Sequence, residues 1–256
     1  MQNLSVTLVQ ADQIWENKQA NFNNYRRLLE NVATDLIVLP EMFNTGFSMN
    51  AQSLAEDFND SPSIDWLKEL AQEKQAAIYT SLIIEENEEY YNRGVFVEPK
   101  GTITVYDKRQ TFSLAGEDKV FNAGKKKTIV EYKDWKINLQ ICYDLRFPEL
   151  SLNRVENDRA EYDLSIYVAN WPEKRISHWN ALLVARAIEN QSYVIGVNRF
   201  GVDHNNLQYN GCSQLVNALG ETTMLQPSET VETIELKYSK LDEIRGMIPF
   251  IKDRKC

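Results

Sequence analysis

The chain is poor in the residues that build metal sites or disulfide frameworks. It has three cysteines (Cys142, Cys212 and Cys256) and two histidines (His178 and His204) in 256 residues. An odd number of widely spaced cysteines fits reduced thiols rather than a disulfide scaffold. No paired Cys or His spacing is present, so no zinc or other metal is expected. Long hydrophobic runs are missing too. No segment approaches the roughly 18 consecutive apolar residues that suggest a membrane span. The first residues enter a strand-like run without a basic and then apolar leader, so a cytoplasmic location is expected. Positive charge is in deficit: 28 Lys and Arg against 37 Asp and Glu, a net charge of −9. That argues against nonspecific binding of nucleic acid or acidic membrane, which needs a basic face. Linkers rich in Gly, Ser or Pro, low-complexity stretches and internal repeats are all absent. Residues 1–256 therefore read as a single domain, and a hydrophobic content of 43% is enough for its core.

What is present alternates between strand and helix. Residues 4–9 read as a first strand. Residues 17–32 place Phe22, Tyr25, Leu28, Leu29 and Val32 at helical spacing. The continuous apolar run 36–39 is typical of a buried strand and stops at Pro40. Residues 42–60 read as a long loop, and Ser61-Pro62 opens a second helix with Trp66, Leu67 and Leu70 on its inner face. Strands follow at 77–84, 94–97 and 102–106, the last two joined by the turn Pro99-Lys100-Gly101. Further strands are expected at 128–132, 137–141, 164–168, 193–197, 213–217, 222–225 and 231–236. Residues 148–155 read as a helix. So do 177–190, with Trp179, Leu182, Leu183, Ala185 and Ile188 turned inward. This order indicates a layered α/β protein in which two sheets can share one domain.

Three apolar strands end in residues of distinct chemistry: Leu39-Pro40-Glu41, Tyr106-Asp107-Lys108 and Gln140-Ile141-Cys142. A carboxylate, an ammonium and a thiol form a base, a charge stabiliser and a nucleophile if neighbouring strands bring them to one sheet edge. A sharp turn after a strand can hold a nucleophile clear of the sheet and aim backbone N–H groups at a carbonyl oxygen. A thiol with a reference pKa near 8.5 needs a base or a positive field to act at neutral pH, and Glu41 and Lys108 can supply these. Residue type alone leaves the alternatives open: a buried, inert Cys142, a surface Glu41, and a solvated charge run at Asp107-Lys108-Arg109.

The chain resembles the nitrilase superfamily of carbon–nitrogen hydrolases, and within it the omega-amidase / 2-oxoglutaramate amidase branch. The resemblance is carried by Leu39-Pro40-Glu41-Met42-Phe43, Tyr106-Asp107-Lys108-Arg109, the run from Ile141 through Cys142 to Glu149, and Ala169-Asn170-Trp171-Pro172. It continues through His178-Trp179, the run Ala185 to Gln191, and Ile244-Arg245. It implies an α/β fold, a four-layer αββα sandwich that dimerises through helices. It assigns Glu41 as general base, Lys108 as charge stabiliser and Cys142 as nucleophile, with Glu117 as the second glutamate. The Tyr143 N–H would complete the oxyanion hole. No metal or organic cofactor is implied. The branch implies a small 2-oxo acid with a terminal amide, such as 2-oxoglutaramate or 2-oxosuccinamate. Where many relatives carry His-Leu-Phe, this chain has Gln110-Thr111-Phe112, a change expected to alter the pocket wall.

Several residues have both a structural and a functional reading. Arg175 is the candidate to hold a substrate carboxylate, because a guanidinium matches the carboxylate fork, and it reads equally as a surface arginine. Arg146 is expected as a buried ion-pair partner near the nucleophile turn, with substrate contact as its alternative, and Arg186 and Glu189 as an i, i+3 pair. His178 is expected to be structural, Cys212 core, and Cys256 a tail thiol. Other carbon–nitrogen hydrolase reactions, on N-carbamoyl amino acids or aliphatic amides, remain alternatives. A thiol hydrolase pairing Cys142 with His178 and a non-catalytic assembly protein are the rivals from other classes.

Overall fold

A computed structural model of the chain describes residues 2–156 and 159–254. Its apolar runs pair into two mixed sheets built on the same plan. The first contains β1 (Leu4–Gln10), β2 (Leu36–Val38), β3 (Ala77–Glu86), β4 (Glu89–Val97) and β5 (Ile103–Asp107). The second contains β6 (Ile129–Tyr132), β7 (Trp135–Ile141), β8 (Leu164–Ala169), β9 (Tyr193–Asn198), β10 (Gln214–Val216) and β11 (Thr222–Met224). The last strand, β12 (Thr230–Leu236), returns to the first sheet beside β1. The orders are β12-β1-β2-β3-β4-β5 and β11-β10-β9-β8-β7-β6. In each, three central strands run parallel (β1, β2, β3 and β7, β8, β9) and the flanking strands are antiparallel. In open sheets of this kind, ligands bind beyond the carboxyl ends of the parallel strands.

Side-chain alternation along the strands separates the layers. On one face of the first sheet, Val9, Ile37, Leu39 and Ile78 pack with Phe22 and Tyr25 of α1 (Lys18–Leu28) and with Ile64 and Leu67 of α2 (Pro62–Lys74). On the other face, Leu4, Val6, Leu8, Val38 and Tyr79 join the cluster that holds Leu139 and Ile141 of the second sheet. That cluster extends to Trp179 and Leu183 of α3 (Ile176–Asn190) and to Leu241 and Ile244 of α4 (Tyr238–Met247). The result is an α/β sandwich with helices outside two apposed sheets. Among the described residues, no helix is long and apolar enough to cross a membrane.

The local signals work as expected at α2. The Ser61 side chain accepts from Ile64 N at 3.1 Å, Pro62 sits in the first turn, and Gln75 closes the helix in the left-handed region. At α1, the Asn17 side chain caps Ala20 N at 3.0 Å. The expected helix over 17–32 ends earlier, at Leu28, although Leu29 still packs inward. The stretch 42–60 is not all loop. It contains a short helix, Ala51–Leu54, and a short strand, Glu56–Asp57.

Two readings are overturned. Residues 148–155 do not form a helix: a 3-10 turn at Pro148–Leu150 gives way to extended chain and the strand Val155–Glu156. Asn153 explains the change. Its N–H donates to Asn190 Oδ1 at 2.9 Å, and its side chain donates to Tyr162 O and Asn190 O at 2.9 and 3.0 Å. These bonds stretch the segment across the end of α3. The inner face of α3 also departs from hydropathy. Ile188 is 49% exposed, whereas Arg186 and Asn190 are buried, because Arg186 Nη2 donates to Leu145 O (2.7 Å) and Asn190 binds Asn153. The Arg186–Glu189 pair forms as expected, at 2.9 Å. Cys212 is half-buried at the edge of the core, and Cys256 lies outside the described residues.

Contact between β9 and α3 depends on Gly196. A Cβ there would fall 2.5 Å from both a Leu183 methyl carbon and the Trp179 indole. Gly196→Ala is expected to lower the urea midpoint by an amount worth about 1–3 kcal/mol, the usual cost of overpacking. An unchanged midpoint would show that α3 is not held this close.

Candidate active site

Glu41 is set by the end of β2. Beyond Val38 the chain remains tied to β3: Leu39 N–H donates to Tyr79 O (3.0 Å) and the Thr80 hydroxyl to Pro40 O (2.7 Å). The Glu41 carbonyl accepts from Gln13 Nε2 and Asn170 Nδ2 at 2.9 and 2.7 Å. Proline fits here because its missing N–H asks for no partner. Lys108 follows β5, and its N–H donates to Asn92 O on β4 at 3.0 Å. Glu117 enters from the loop beyond, where Gly116 takes φ +76°.

The three side chains meet in the interior. Lys108 Nζ donates to Glu41 Oε1 at 2.8 Å and to both Glu117 oxygens at 2.9 Å, and all three residues are buried. Asn92 Nδ2 bridges the carboxylates, at 2.8 Å from Glu41 Oε1 and 3.1 Å from Glu117 Oε1. Asn170 N–H donates to Glu41 Oε2 at 2.9 Å, and Phe112 N–H donates to Glu117 Oε2. Burial alone would push the Lys108 ammonium down, but Glu117 and Glu41 outweigh it and hold it well above the ordinary lysine range. Lys108 is therefore a fixed cation at physiological pH.

Cys142 opens the turn after β7 with φ +44°, a left-handed backbone that non-glycine residues rarely adopt. The 3-10 turn Cys142–Arg146 follows at once, so the strand ends in the sharp corner expected from sequence. Burial first, and then the negative charge of Glu41, push the thiol well above its ordinary pKa, with Lys108 opposing. The resting group is a neutral thiol among fixed charges. The Tyr143 N–H comes next in the turn, and no acceptor among the described residues takes it.

Cys142 faces a cavity of about 420 Å³. Its wall includes Phe47, Tyr143, Asn170, Trp171 and Tyr209. Two guanidinium groups also border it. Arg146 lies 4.6 Å from the Trp171 ring centroid and Arg175 lies 5.4 Å from that of Phe112. Neither forms an ion pair with a carboxylate among the described residues. Asp203 is also on the wall, but its oxygens are taken by Asn205 N–H, Leu207 N–H and the Tyr209 hydroxyl at 2.8–3.0 Å. Among the described residues, no group of three or more His, Cys, Asp or Glu is arranged to hold a metal ion.

Glu41, Lys108, Glu117 and Cys142 are thus brought together, and Tyr143 and Arg175 line the same cavity. The expectation for Arg146 fails: it is a half-buried cavity residue stacked on Trp171, not a buried ion-pair partner. His178 is exposed on α3, with Nδ1 3.3 Å from the Arg146 guanidinium, and is absent from the cavity wall. A Cys142–His178 pair is not assembled. Gln110 is also off the wall, which Phe112 forms in its place. Sequence reasoning missed Asn92 and Asn170 as partners of the carboxylates, and Gln13 as a partner of the Glu41 carbonyl. Asn92 lies ahead of the strand expected at 94–97, and its partners are 51 and 25 positions away.

Removing one member of a buried charge cluster strands the others, at a usual cost of about 3–5 kcal/mol. Lys108→Ala leaves two buried carboxylates facing each other, so its denaturation midpoint is expected to fall by that order. A Lys108→Ala protein as stable as the parent would mean that the carboxylates are not charged in the fold.

Similarity to known proteins agrees with this geometry. The sequence profile of the carbon-nitrogen hydrolase family matches residues 5–245. The chain is 43% identical to omega-amidase YafV of Yersinia enterocolitica, over 99% of this chain and 97% of that one. It is 34% identical to 2-oxoglutaramate amidase of Paenarthrobacter nicotinovorans, over 87% and 79%. A crystal structure of a CN-hydrolase superfamily protein from Xanthomonas campestris, with an arsenic adduct in its active site, superposes with a TM-score of 0.97. That pair is 38% identical and covers 100% of this chain and 98% of the other. On a match of this extent, the chain belongs to the carbon–nitrogen hydrolase family and is an amide-hydrolysing enzyme.

Proposed function

We propose that the protein hydrolyses the terminal amide of a small 2-oxo acid, such as 2-oxoglutaramate or 2-oxosuccinamate, to the acid and ammonia. The observation that carries the reading is the buried Glu41–Lys108–Glu117 cluster beside Cys142, opening on a cavity with two guanidinium groups that have no carboxylate partner among the described residues. Relatives named omega-amidase and 2-oxoglutaramate amidase support the substrate class. So does electrostatics: a chain of net charge −9 needs a local positive region to accept an anionic substrate. Arg175 is assigned to the substrate carboxylate, and Arg146 stands near enough to share it.

In this mechanism the Cys142 thiol passes its proton to Glu41 as sulfur attacks the amide carbon. The Lys108 ammonium and the Tyr143 N–H stabilise the oxyanion. Collapse of the tetrahedral intermediate returns that proton from Glu41 to the leaving nitrogen, and ammonia departs from a Cys142 thioester. Glu41 then takes a proton from water as the water attacks the thioester. The second collapse expels the sulfur, which recovers the proton from Glu41, and the acid is released. Glu117 holds Lys108 in place throughout. The chemistry needs no metal or organic cofactor, and the whole of 1–256 acts as one catalytic domain in the cytoplasm, where Cys142 and Cys212 stay reduced.

The working form is read as a homodimer. Ile188, Leu219 and Met247 are 49%, 47% and 63% exposed, and Leu219 and Met247 share one groove beside α4. Sedimentation equilibrium is expected to give twice the mass of the chain, and Met247→Asp to shift it toward the monomer. A wild-type monomer would remove this assignment.

Purified protein is expected to release ammonia from 2-oxoglutaramate, and Cys142→Ala to abolish that release. Arg175→Gln is expected to raise KM by about tenfold or more, the effect of losing a charged hydrogen bond of about 1.5–3 kcal/mol. Wild-type protein that leaves 2-oxoglutaramate intact but cleaves an N-carbamoyl amino acid or an aliphatic amide would move the substrate class.

A further inference from the structure

Asp144 is a buried carboxylate that the mechanism above does not use. It lies two residues beyond Cys142 and does not line the cavity. Its Oδ2 accepts from Ile141 N–H at 3.0 Å and from the Tyr106 hydroxyl at 2.8 Å, and its Oδ1 accepts from Gln110 N–H at 2.8 Å. Two of these donors flank Lys108 on its own strand end. The third belongs to the residue that precedes Cys142. One carboxylate therefore ties the strand end bearing Lys108 to the turn bearing Cys142, across two different sheets.

We propose that Asp144 is a positioning residue: in its ionised form it fixes the Cys142 turn against Lys108, and protonation or amidation of its carboxyl loosens that register and slows the reaction. The proposal rests on the roles given above to Cys142 and Lys108. Three donors converge on two oxygens, which suits an acceptor-only carboxylate. A protonated acid adds a fourth donor, and an asparagine replaces one oxygen with NH2. Tyr106 can rotate its hydroxyl to accept, but a backbone N–H cannot turn away. Asparagine therefore sets its NH2 against a backbone N–H whichever way the amide lies, and protonation on Oδ2 turns the Tyr106 hydroxyl round and leaves Ile141 N–H a weaker hydroxyl acceptor. Gln110 contributes through its backbone N–H, which any residue but proline supplies.

Burial pushes the Asp144 carboxyl up from the ordinary aspartate value to about 6, and the three hydrogen bonds and the Lys108 ammonium restrain the rise. The other groups facing it are Tyr106 from β5, Tyr79 from β3 and Tyr167 from β8, all with phenols raised by burial and neutral in this range. From α3, the Arg186 guanidinium binds the Leu145 carbonyl of the same turn. The sign follows: Asp144 is ionised and the clamp closed above about pH 6, and the clamp opens as pH falls through that value. The Tyr106 hydrogen bond favours the ionised form, so losing it shifts opening to higher pH.

The test is the pH profile of wild type, Asp144→Asn and Tyr106→Phe. It is read in two ways: turnover of 2-oxoglutaramate, and the rate of Cys142 alkylation by iodoacetamide. The second readout does not depend on the substrate assignment. Asp144→Asn is expected to lower kcat by about 10- to 100-fold with little change in KM, as for an ångström-scale misplacement of reacting groups. In Tyr106→Phe, the acid limb of the profile is expected to move up by about half a pH unit or more, as loss of a charge-stabilising hydrogen bond requires. A merely structural Asp144 would move no limb. Should Asp144→Asn fail to fold, Tyr106→Phe still decides. An acid limb that coincides in wild type and Tyr106→Phe overturns the proposal, as does an Asp144→Asn enzyme with wild-type kcat. No wild-type turnover, together with a shifted alkylation limb, would overturn the substrate assignment and leave the Asp144 proposal supported.

Discussion

The site depends on one arrangement, a buried ammonium held between two buried carboxylates. Lys108 lies within 2.9 Å of both Glu41 and Glu117, and none of the three has appreciable contact with solvent. A lone buried charge would neutralise itself by a shift in pKa, and a pair survives only with further hydrogen bonds. Those bonds come from Asn92, Asn170 and the Phe112 N–H. The cluster therefore draws on β4, on the end of β8 and on the loop after β5. The two sheets have to pack face to face in one register for the charges to be satisfied.

The charge count also explains why the thiol needs a nearby base. With Lys108 protonated and both glutamates ionised, the cluster carries a net −1. Ionising Cys142 outright would add a second buried negative charge, which is why the thiol is held well above its usual range. Passing the proton from sulfur to Glu41 leaves the total unchanged. In the proposed mechanism the thiol and Glu41 therefore act as one proton-transfer pair. In the proposed attack, charge appears on oxygen next to a cation that is already in place and needs no reorganisation.

Much of this could be read from the sequence, because Glu41, Lys108 and Cys142 each close an apolar run and strand ends leave few directions for a side chain. Cys142 at a corner, Ser61-Pro62 at a helix start and the Arg186–Glu189 pair all follow from local rules. What escaped depends on partners distant in sequence. Asn92 looks ordinary until the chain beyond β2 and β5 closes around it, and Asp144 until strands from different sheets meet. Residues 148–155 have a plausible helical composition, but Asn153 is held by Asn190 and Tyr162. Ile188 points outward because Arg186 and Asn190 have buried polar partners that hydropathy does not register. For Arg146 the sequence ranked substrate contact second, because its ring partner Trp171 lies on another strand end.

In the proposed function the cavity beside the cluster supplies the selectivity. Aromatic walls suit a short carbon chain, while Arg146 and Arg175 face it without a carboxylate of their own, in a chain that is otherwise acidic. The most direct test of the account is rapid acid quench of the enzyme during turnover of 2-oxoglutaramate, followed by mass spectrometry of its peptides. A thioester on the Cys142 peptide, equal in mass to the substrate less ammonia, is the predicted result. Steady turnover with the Cys142 peptide unmodified at every quench time, and with activity surviving in Cys142→Ala, would contradict it.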